Sequence, residues 1–127
     1  MKLLRKDVLK WIKALSDGSY KKGTGRLVSV DGTKFCCLGV WADMHGATWD
    51  EAKLFNGETD ALIPIPKGRV KQTEAQQKSG AYLKDPLLSR GLNAVVQREL
   101  ANENDGSKRG FKPVIAYIKK NVLPLAK

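Results

Sequence analysis

Thr33-Lys34-Phe35-Cys36-Cys37-Leu38-Gly39-Val40-Trp41-Ala42-Asp43-Met44-His45-Gly46 holds both cysteines, the single histidine and one of the three tryptophans of this 127-residue chain. It is also the densest apolar run, so its folding decides how the rest must pack. Asp31-Gly32, just before it, is a strong hairpin-turn signal between short β-prone runs at residues 26–30 and 33–36. Beyond Cys36 the pattern changes. Leu38, Val40, Trp41 and Met44 fit a short helix, and Gly46 supplies a left-handed cap to end it. The stretch predicts a strand running directly into a helix.

Cys, Asp and His within so few residues invite a catalytic reading, and geometry argues against it. Cys37 and His45 on one helix stand about 12 Å apart along its axis, at about 1.5 Å per residue. A nucleophile and its base need contact at about 3 Å, and the chain has no second histidine. Two adjacent cysteines and one histidine also lack the spacing that converges ligands on a metal ion. Phe35, Leu38, Trp41 and the cysteines read more simply as core, with cysteine acting as a small hydrophobe. A second reading stays open for Cys37: at a helix N-terminus its thiol pKa could fall and make it reactive.

Outward from this stretch, residues 4–15 read as an amphipathic helix. Leu4, Val8, Trp11, Ile12 and Leu15 recur at helical spacing, with Arg5, Lys6, Lys10 and Lys13 off that stripe. Asp17-Gly18 stops it, and Tyr20-Lys21-Lys22-Gly23-Thr24-Gly25-Arg26 follows as a basic, glycine-bearing loop. Residues 47–66 read as irregular structure with one or two short strands around the turn signal Asn56-Gly57. Residues 67–85 are polar and aperiodic, and read as a mobile loop. A helix is predicted after Asp85-Pro86, with Asp85 as N-cap and Leu88, Leu92, Val95, Val96 and Leu100 as its apolar face, continuing through Gly91. Asn104-Asp105-Gly106-Ser107 reads as its break. A last helix starts near Pro113, faces Val114, Ile115, Ile118 and Val122 inward, and ends at Pro124. The connection at residues 103–110 is too long for a DNA-reading helix-turn-helix.

The expectation is one α+β domain over residues 1–127: N-terminal helix, β-hairpin, short central helix, irregular strands and two C-terminal helices. No apolar run reaches a membrane span. Asp7, Lys10 and Lys13 interrupt any secretory core behind the basic start, and two neighbouring cysteines suggest no disulfide framework. A cytoplasmic site is therefore expected. The formal net charge is +10, unevenly spread. Residues 1–34 carry nine basic and three acidic side chains, a net +6; residues 35–66 carry one and five, a net −4; residues 67–127 carry thirteen and five, a net +8. Such a balance favours polyanionic partners, with a merely solvated basic surface as the alternative.

The order Trp11-x-x-Ala14-Leu15-x-x-Gly18-x-Tyr20-x-x-Gly23-x-Gly25-x-Leu27, followed by Phe35-Cys36-Cys37-Leu38-Gly39-Val40-x-x-Asp43, resembles a family of small proteins common in bacteriophage genomes and prophages. Those relatives carry a Leu-Asn-Asp element, then Phe and an Ile-Ala-x-x-Ile helix, in their C-terminal half. Asn104-Asp105, Phe111 and Ile115-Ala116-Tyr117-Ile118 take those places here. The sequence departs at Glu103, where leucine is usual, and at Gly110, where a capping serine is usual. The resemblance covers both ends of the chain but not residues 47–85. It implies a phage source and a host cytoplasm, and hence host takeover or counter-defence, tasks done by binding.

Three functional readings follow. The first is binding of nucleic acid, a nucleotide or a phosphate ligand at Tyr20, Lys21, Lys22, Gly23, Gly25 and Arg26. Glycines let backbone N–H groups approach phosphate, lysine and arginine supply charge, and Tyr20 or Tyr82 could stack on bases. The loop lacks the full phosphate-loop pattern, and a simple turn explains its glycines as well. The second reading is a protein–protein inhibitor of a host enzyme or defence factor. An enzyme built on Asp43, Asp60, Glu103 and Asp105 is the third, but no spacing among them requires it. The expectation is a binding protein and no enzyme, with no cofactor, no metal and no membrane partner.

Overall fold

A computed structural model describes residues 2–68, 83–106, 108 and 110–127. Its first element is helix α1 (Arg5–Ser16), which buries Val8, Trp11 and Leu15 as the stripe predicts. No side chain caps its start. Instead the Arg5 N–H donates to the Lys127 carbonyl at 2.9 Å and the Lys127 N–H to Leu3 at 2.9 Å, so the end of the chain is stitched onto the start of α1.

Two short strands follow, β1 (Lys21–Lys22) and β2 (Lys34–Phe35), and then helix α2 (Cys37–Met44). The hairpin expected at 26–36 survives as one antiparallel bridge, Val28 to Phe35. Its turn is firm: Asp31 accepts from the Ser29 hydroxyl at 2.5 Å, the Thr33 hydroxyl at 2.7 Å and the Thr33 N–H at 3.1 Å. These bonds hold the Asp31 carboxyl down at about 2, the Ser29 bond contributing most. The hairpin stays short because α2 begins straight after Cys36. β2 then takes β1 as a parallel partner, with Lys21 opposite Lys34 and Lys22 opposite Phe35.

Residues 47–66 are more regular than expected. β3 (Thr48–Lys53) and β4 (Thr59–Ile65) form an antiparallel hairpin. Its turn is Asn56-Gly57, where Gly57 takes φ 85°. β4 buries Ile63 and Ile65, whereas β3 reaches the core mainly through the half-buried Trp49, so its alternation is weak.

The predicted helix from Pro86 is interrupted. α3 (Pro86–Ser89) starts as expected, Asp85 accepting from the Leu87 N–H at 2.8 Å. It stops after one turn, with Arg90 at φ 45° and Gly91 at φ 96°. Glycine is required at the break, since a Cβ on Gly91 would lie 2.4 Å from the Leu3 nitrogen. Asn93 then caps α4 (Ala94–Gly106), accepting from the Val96 N–H at 2.9 Å. α4 runs through Asn104-Asp105, where a break was expected. Asn104 is fully buried there, and its tertiary hydrogen bonds outweigh its weak helix propensity. The last helix, α5 (Lys112–Tyr117), opens into a wide π turn at Ile118–Val122 and a 3₁₀ turn at Leu123–Leu125. The segment read as mobile, 67–85, lies outside the described residues from 69 to 82. Leu83 is described and is pinned: its N–H donates to the Gln97 side chain at 2.6 Å, and its carbonyl accepts back at 3.0 Å.

The molecule is thus α+β, and α2 is its hub, in contact with α1, α3, α4, β2 and β4. Trp11 from α1 and Trp41 from α2 are fully buried, ring centroids 4.7 Å apart and tilted by 55°. Both indoles are satisfied: Trp11 Nε1 donates to the Cys37 carbonyl at 2.9 Å, and Trp41 Nε1 to Ser89 at 3.1 Å. Among the described residues no helix is long and apolar enough to cross a membrane.

Gly39 has no freedom in this arrangement. A Cβ there would stand 1.9 Å from the Leu27 carbonyl oxygen and 2.8 Å from its carbon. Both are backbone atoms, so no side-chain rotation relieves the clash. Gly39→Ala should therefore destabilise by about 3 kcal/mol, at the upper end of overpacking effects, and lower the melting temperature by on the order of 10 °C. Thermal melts followed by circular dichroism test this, and an unchanged melting temperature would refute the packing described.

Candidate nucleic-acid interface

The paired strands β1 and β2 make a small ribbon whose position is fixed from below. The Gly23 N–H donates to the Phe35 carbonyl at 2.8 Å. A Cβ on Gly23 would lie 3.0 Å from the Lys34 Cβ, so glycine is what lets the two chains close. Asn104 on α4 reaches both the ribbon and the hub. Its Nδ2 donates to the Gly23 carbonyl at 2.9 Å, while its Oδ1 accepts from the Cys37 N–H at 3.1 Å. The neighbouring Asp105 accepts from the Gly25 N–H at 2.9 Å. Two consecutive α4 side chains therefore clamp the Gly23–Gly25 loop.

An aromatic row runs beside the ribbon. Tyr20 meets Phe35 edge-on at 4.9 Å, and Phe35 meets Trp49 edge-on at 6.1 Å. All three are half-buried. Asp43 on α2 brackets the row, accepting from the Tyr20 hydroxyl at 2.6 Å and from Trp49 Nε1 at 3.0 Å. Burial, and then the bond to Asp43, push the Tyr20 hydroxyl above the usual phenol range. With both oxygens engaged, Asp43 works as a brace for two aromatic rings.

The residues expected from sequence to bind phosphate are gathered here, with a division of labour. Lys21 and Arg26 are exposed and Lys22 is half-buried. Arg26 stands 3.9 Å from Asp60 of β4 across an exposed gap. The Gly23 and Gly25 N–H groups, however, already serve Phe35 and Asp105, so the positive character of the loop resides in its side chains. Lys34 and Trp49 join the site without having been foreseen. No local signal could have found them, because Lys34 arrives through a non-local parallel pairing and Trp49 through the fold of the β3–β4 hairpin. Tyr82 lies outside the described residues.

The other candidate chemistry looks different in three dimensions. Cys37 is fully buried and its Sγ donates to the Leu100 carbonyl at 3.6 Å. Burial pushes its thiol well up, and the neighbouring Cys36 adds to this, so the reading of a lowered thiol pKa is overturned. Cys36 caps α2, its Sγ accepting from the Gly39 N–H at 3.4 Å, and burial raises its thiol to about 11. His45 caps the opposite end of α2, its ring 4.5 Å from Trp41. Burial, and then the Arg90 charge, hold its imidazole down at about 4, hence neutral at pH 7. Among the described residues no group of His, Cys, Asp and Glu could hold a metal ion.

The chain belongs to the DUF8296 family, described as a domain of unknown function, whose sequence profile matches residues 4–122. No curated protein and no solved structure matches the chain.

Two thiols this buried should be inert in the folded protein, since the thiolate is the reactive form. Labelling by Ellman's reagent at pH 8 should release no more than a trace of product until denaturant is added, then two thiols per chain. Rapid labelling of one thiol under native conditions would overturn the burial and revive a reactive Cys37.

Proposed function

We propose that this protein binds single-stranded nucleic acid through the β1–β2 ribbon, and acts by binding rather than by catalysis. One observation carries the reading: Lys21, Lys22 and Lys34 are drawn onto one ribbon alongside the half-buried rings of Tyr20, Phe35 and Trp49. Cations that follow a phosphate backbone beside aromatic surfaces on which bases stack are the common solution for single strands. Each stacked base contributes about 1–3 kcal/mol with little sequence preference. The Asn104 and Asp105 clamp supports the same reading, because a ribbon held rigid loses less entropy when it takes up a ligand.

A free nucleotide is the weaker form of this idea. A single phosphate needs a cradle of backbone donors, and the glycine N–H groups of this loop are engaged elsewhere. A longer strand needs only side-chain cations along its path. The biological setting we infer, host takeover or counter-defence, comes from the phage resemblance.

Fluorescence anisotropy with a labelled thymidine 20-mer tests the binding. The expected affinity is on the order of 10⁻⁵ M and falls steeply with salt. Replacing Lys21, Lys22 and Lys34 together by glutamine should lower the magnitude of the log–log salt slope by about 2, at about 0.7 per single-strand phosphate contact. Lys119→Gln with Lys120→Gln removes two exposed charges from the C-terminal turn and should leave the slope unchanged. Equal losses in the two variants would mean diffuse charge attraction and would refute the site, as would an absence of binding at low salt.

A further inference from the structure

The β3–β4 hairpin differs from the rest of the molecule in two ways. Its tip is apolar and open: Phe55 is fully exposed and Leu54 nearly half exposed. The tip is also rigid, because the Leu54 N–H donates to Glu58 at 2.8 Å and the Gly57 N–H donates back to Leu54 at 2.9 Å. Its charge is opposite to that of the protein. Residues 48–60 carry Asp50, Glu51, Glu58 and Asp60 against Lys53, a net −3 in a chain of +10. A large ring presented on a fixed turn exposes apolar surface with no role inside the fold. Four carboxylates behind it disfavour an anionic lipid surface.

A receptor of the matching kind lies on the same chain. Leu83, Leu92, Ala94 and Val95 help line a cavity of about 610 Å³, large enough for the Leu54 and Phe55 side chains together. Lys84 and Arg98 also line it, with Ser89 and Gln97. Both cations are exposed, and among the described residues neither has an ion-pair partner. Val95 is more than half exposed, so the cavity offers open apolar surface beside two cations. The apolar tip with carboxylates and the apolar cavity with cations are complementary in shape class and in charge.

We propose that the Leu54–Phe55 tip of one copy docks into this cavity of a second copy, with Glu58 approaching Lys84 and Arg98. At +10 two copies repel in most orientations, and the acidic hairpin is the part of the surface that can approach another copy favourably. The contact is heterologous, tip to cavity, so it either closes reciprocally into a dimer or extends head to tail.

Sedimentation velocity from about 1 to 500 μM, with the masses it yields, tests the proposal, and the decisive form is complementation. Wild-type protein should gain mass with concentration. Phe55→Ala, which loses the tip, and Val95→Asp, which spoils the cavity, should each remain monomeric. Both positions are exposed, and unchanged circular dichroism melts would establish that both variants fold. An equimolar mixture of the two retains one intact tip and one intact cavity, and should form a 1:1 dimer. Wild-type protein that stays monomeric throughout would overturn the proposal. So would self-association that survives Phe55→Ala, or a mixture of the two variants that remains monomeric.

Discussion

The buried side-chain amide of Asn104 is the interaction on which the arrangement of this protein depends. The first N–H groups of a helix have no partner within it, and α2 starts inside the core, where water cannot supply one. Asn104 accepts from the Cys37 N–H, and the Cys36 Sγ accepts from the Gly39 N–H. Trp11 meets the Cys37 carbonyl from the other side. The same Asn104 donates outward to Gly23, so one amide joins helix α4, the hub helix and the ribbon. Leaving such groups unpaired in the core would cost about 1–3 kcal/mol each. Gly39 completes the constraint, since only a residue without Cβ lets α2 lie against the Leu27 carbonyl. Trp11, Gly23, Leu27, Cys36, Cys37, Gly39 and Asn104, all among the residues quoted for the resemblance, meet at this junction.

Much of the fold could be read in the sequence because it follows local rules. The stripe of α1, the start and end of α2, the Asp85-Pro86 helix start and the Asn56-Gly57 turn are all set by periodicity, caps or turn chemistry within a few residues. The misreadings share one cause, which is contact between distant segments. Asn104-Asp105 carries turn-forming residues, yet it stays helical because the hydrogen bonds of those side chains lie 67 to 81 positions away. The helix expected to pass through Gly91 breaks there, with Arg90 and Gly91 at positive φ and the Leu3 backbone close against Gly91. The pairing of Lys21 with Lys34 is parallel, and no turn signal announces a parallel pair. Of the candidate site, the basic loop with Tyr20, Lys21, Lys22 and Arg26 could be picked out from sequence, whereas Lys34 and Trp49 come beside it only through the fold.

The uneven charge along the chain acquires a spatial meaning in this structure. Basic residues on β1 and β2 share one ribbon, held in place by the Asn104 and Asp105 side chains of α4. Residues 35–66, with the β3–β4 hairpin, carry a net −4, and that hairpin reaches the core through Trp49 and the end of β4. Arg26 and Asp60 mark the line where the two regions meet, at 3.9 Å and largely exposed to water. An ion pair so exposed contributes little to stability, so this contact does not hold the two regions together. A basic ribbon and an acidic, apolar-tipped arm present different chemistry, so the strand binding and the self-association proposed above would not compete for one surface.

The central claim is that the ribbon, with its aromatic row, is where a nucleic-acid strand lies. The most direct measurement is a map of backbone amide and indole shifts in two-dimensional NMR spectra as a thymidine oligonucleotide is titrated in. The account predicts that the shifted signals cluster at Tyr20, Lys21, Lys22, Lys34, Phe35 and the Trp49 indole, while Lys119, Lys120 and the α3–α4 surface stay in place. Shifts concentrated on the C-terminal helices, or spread evenly over every lysine, would contradict it.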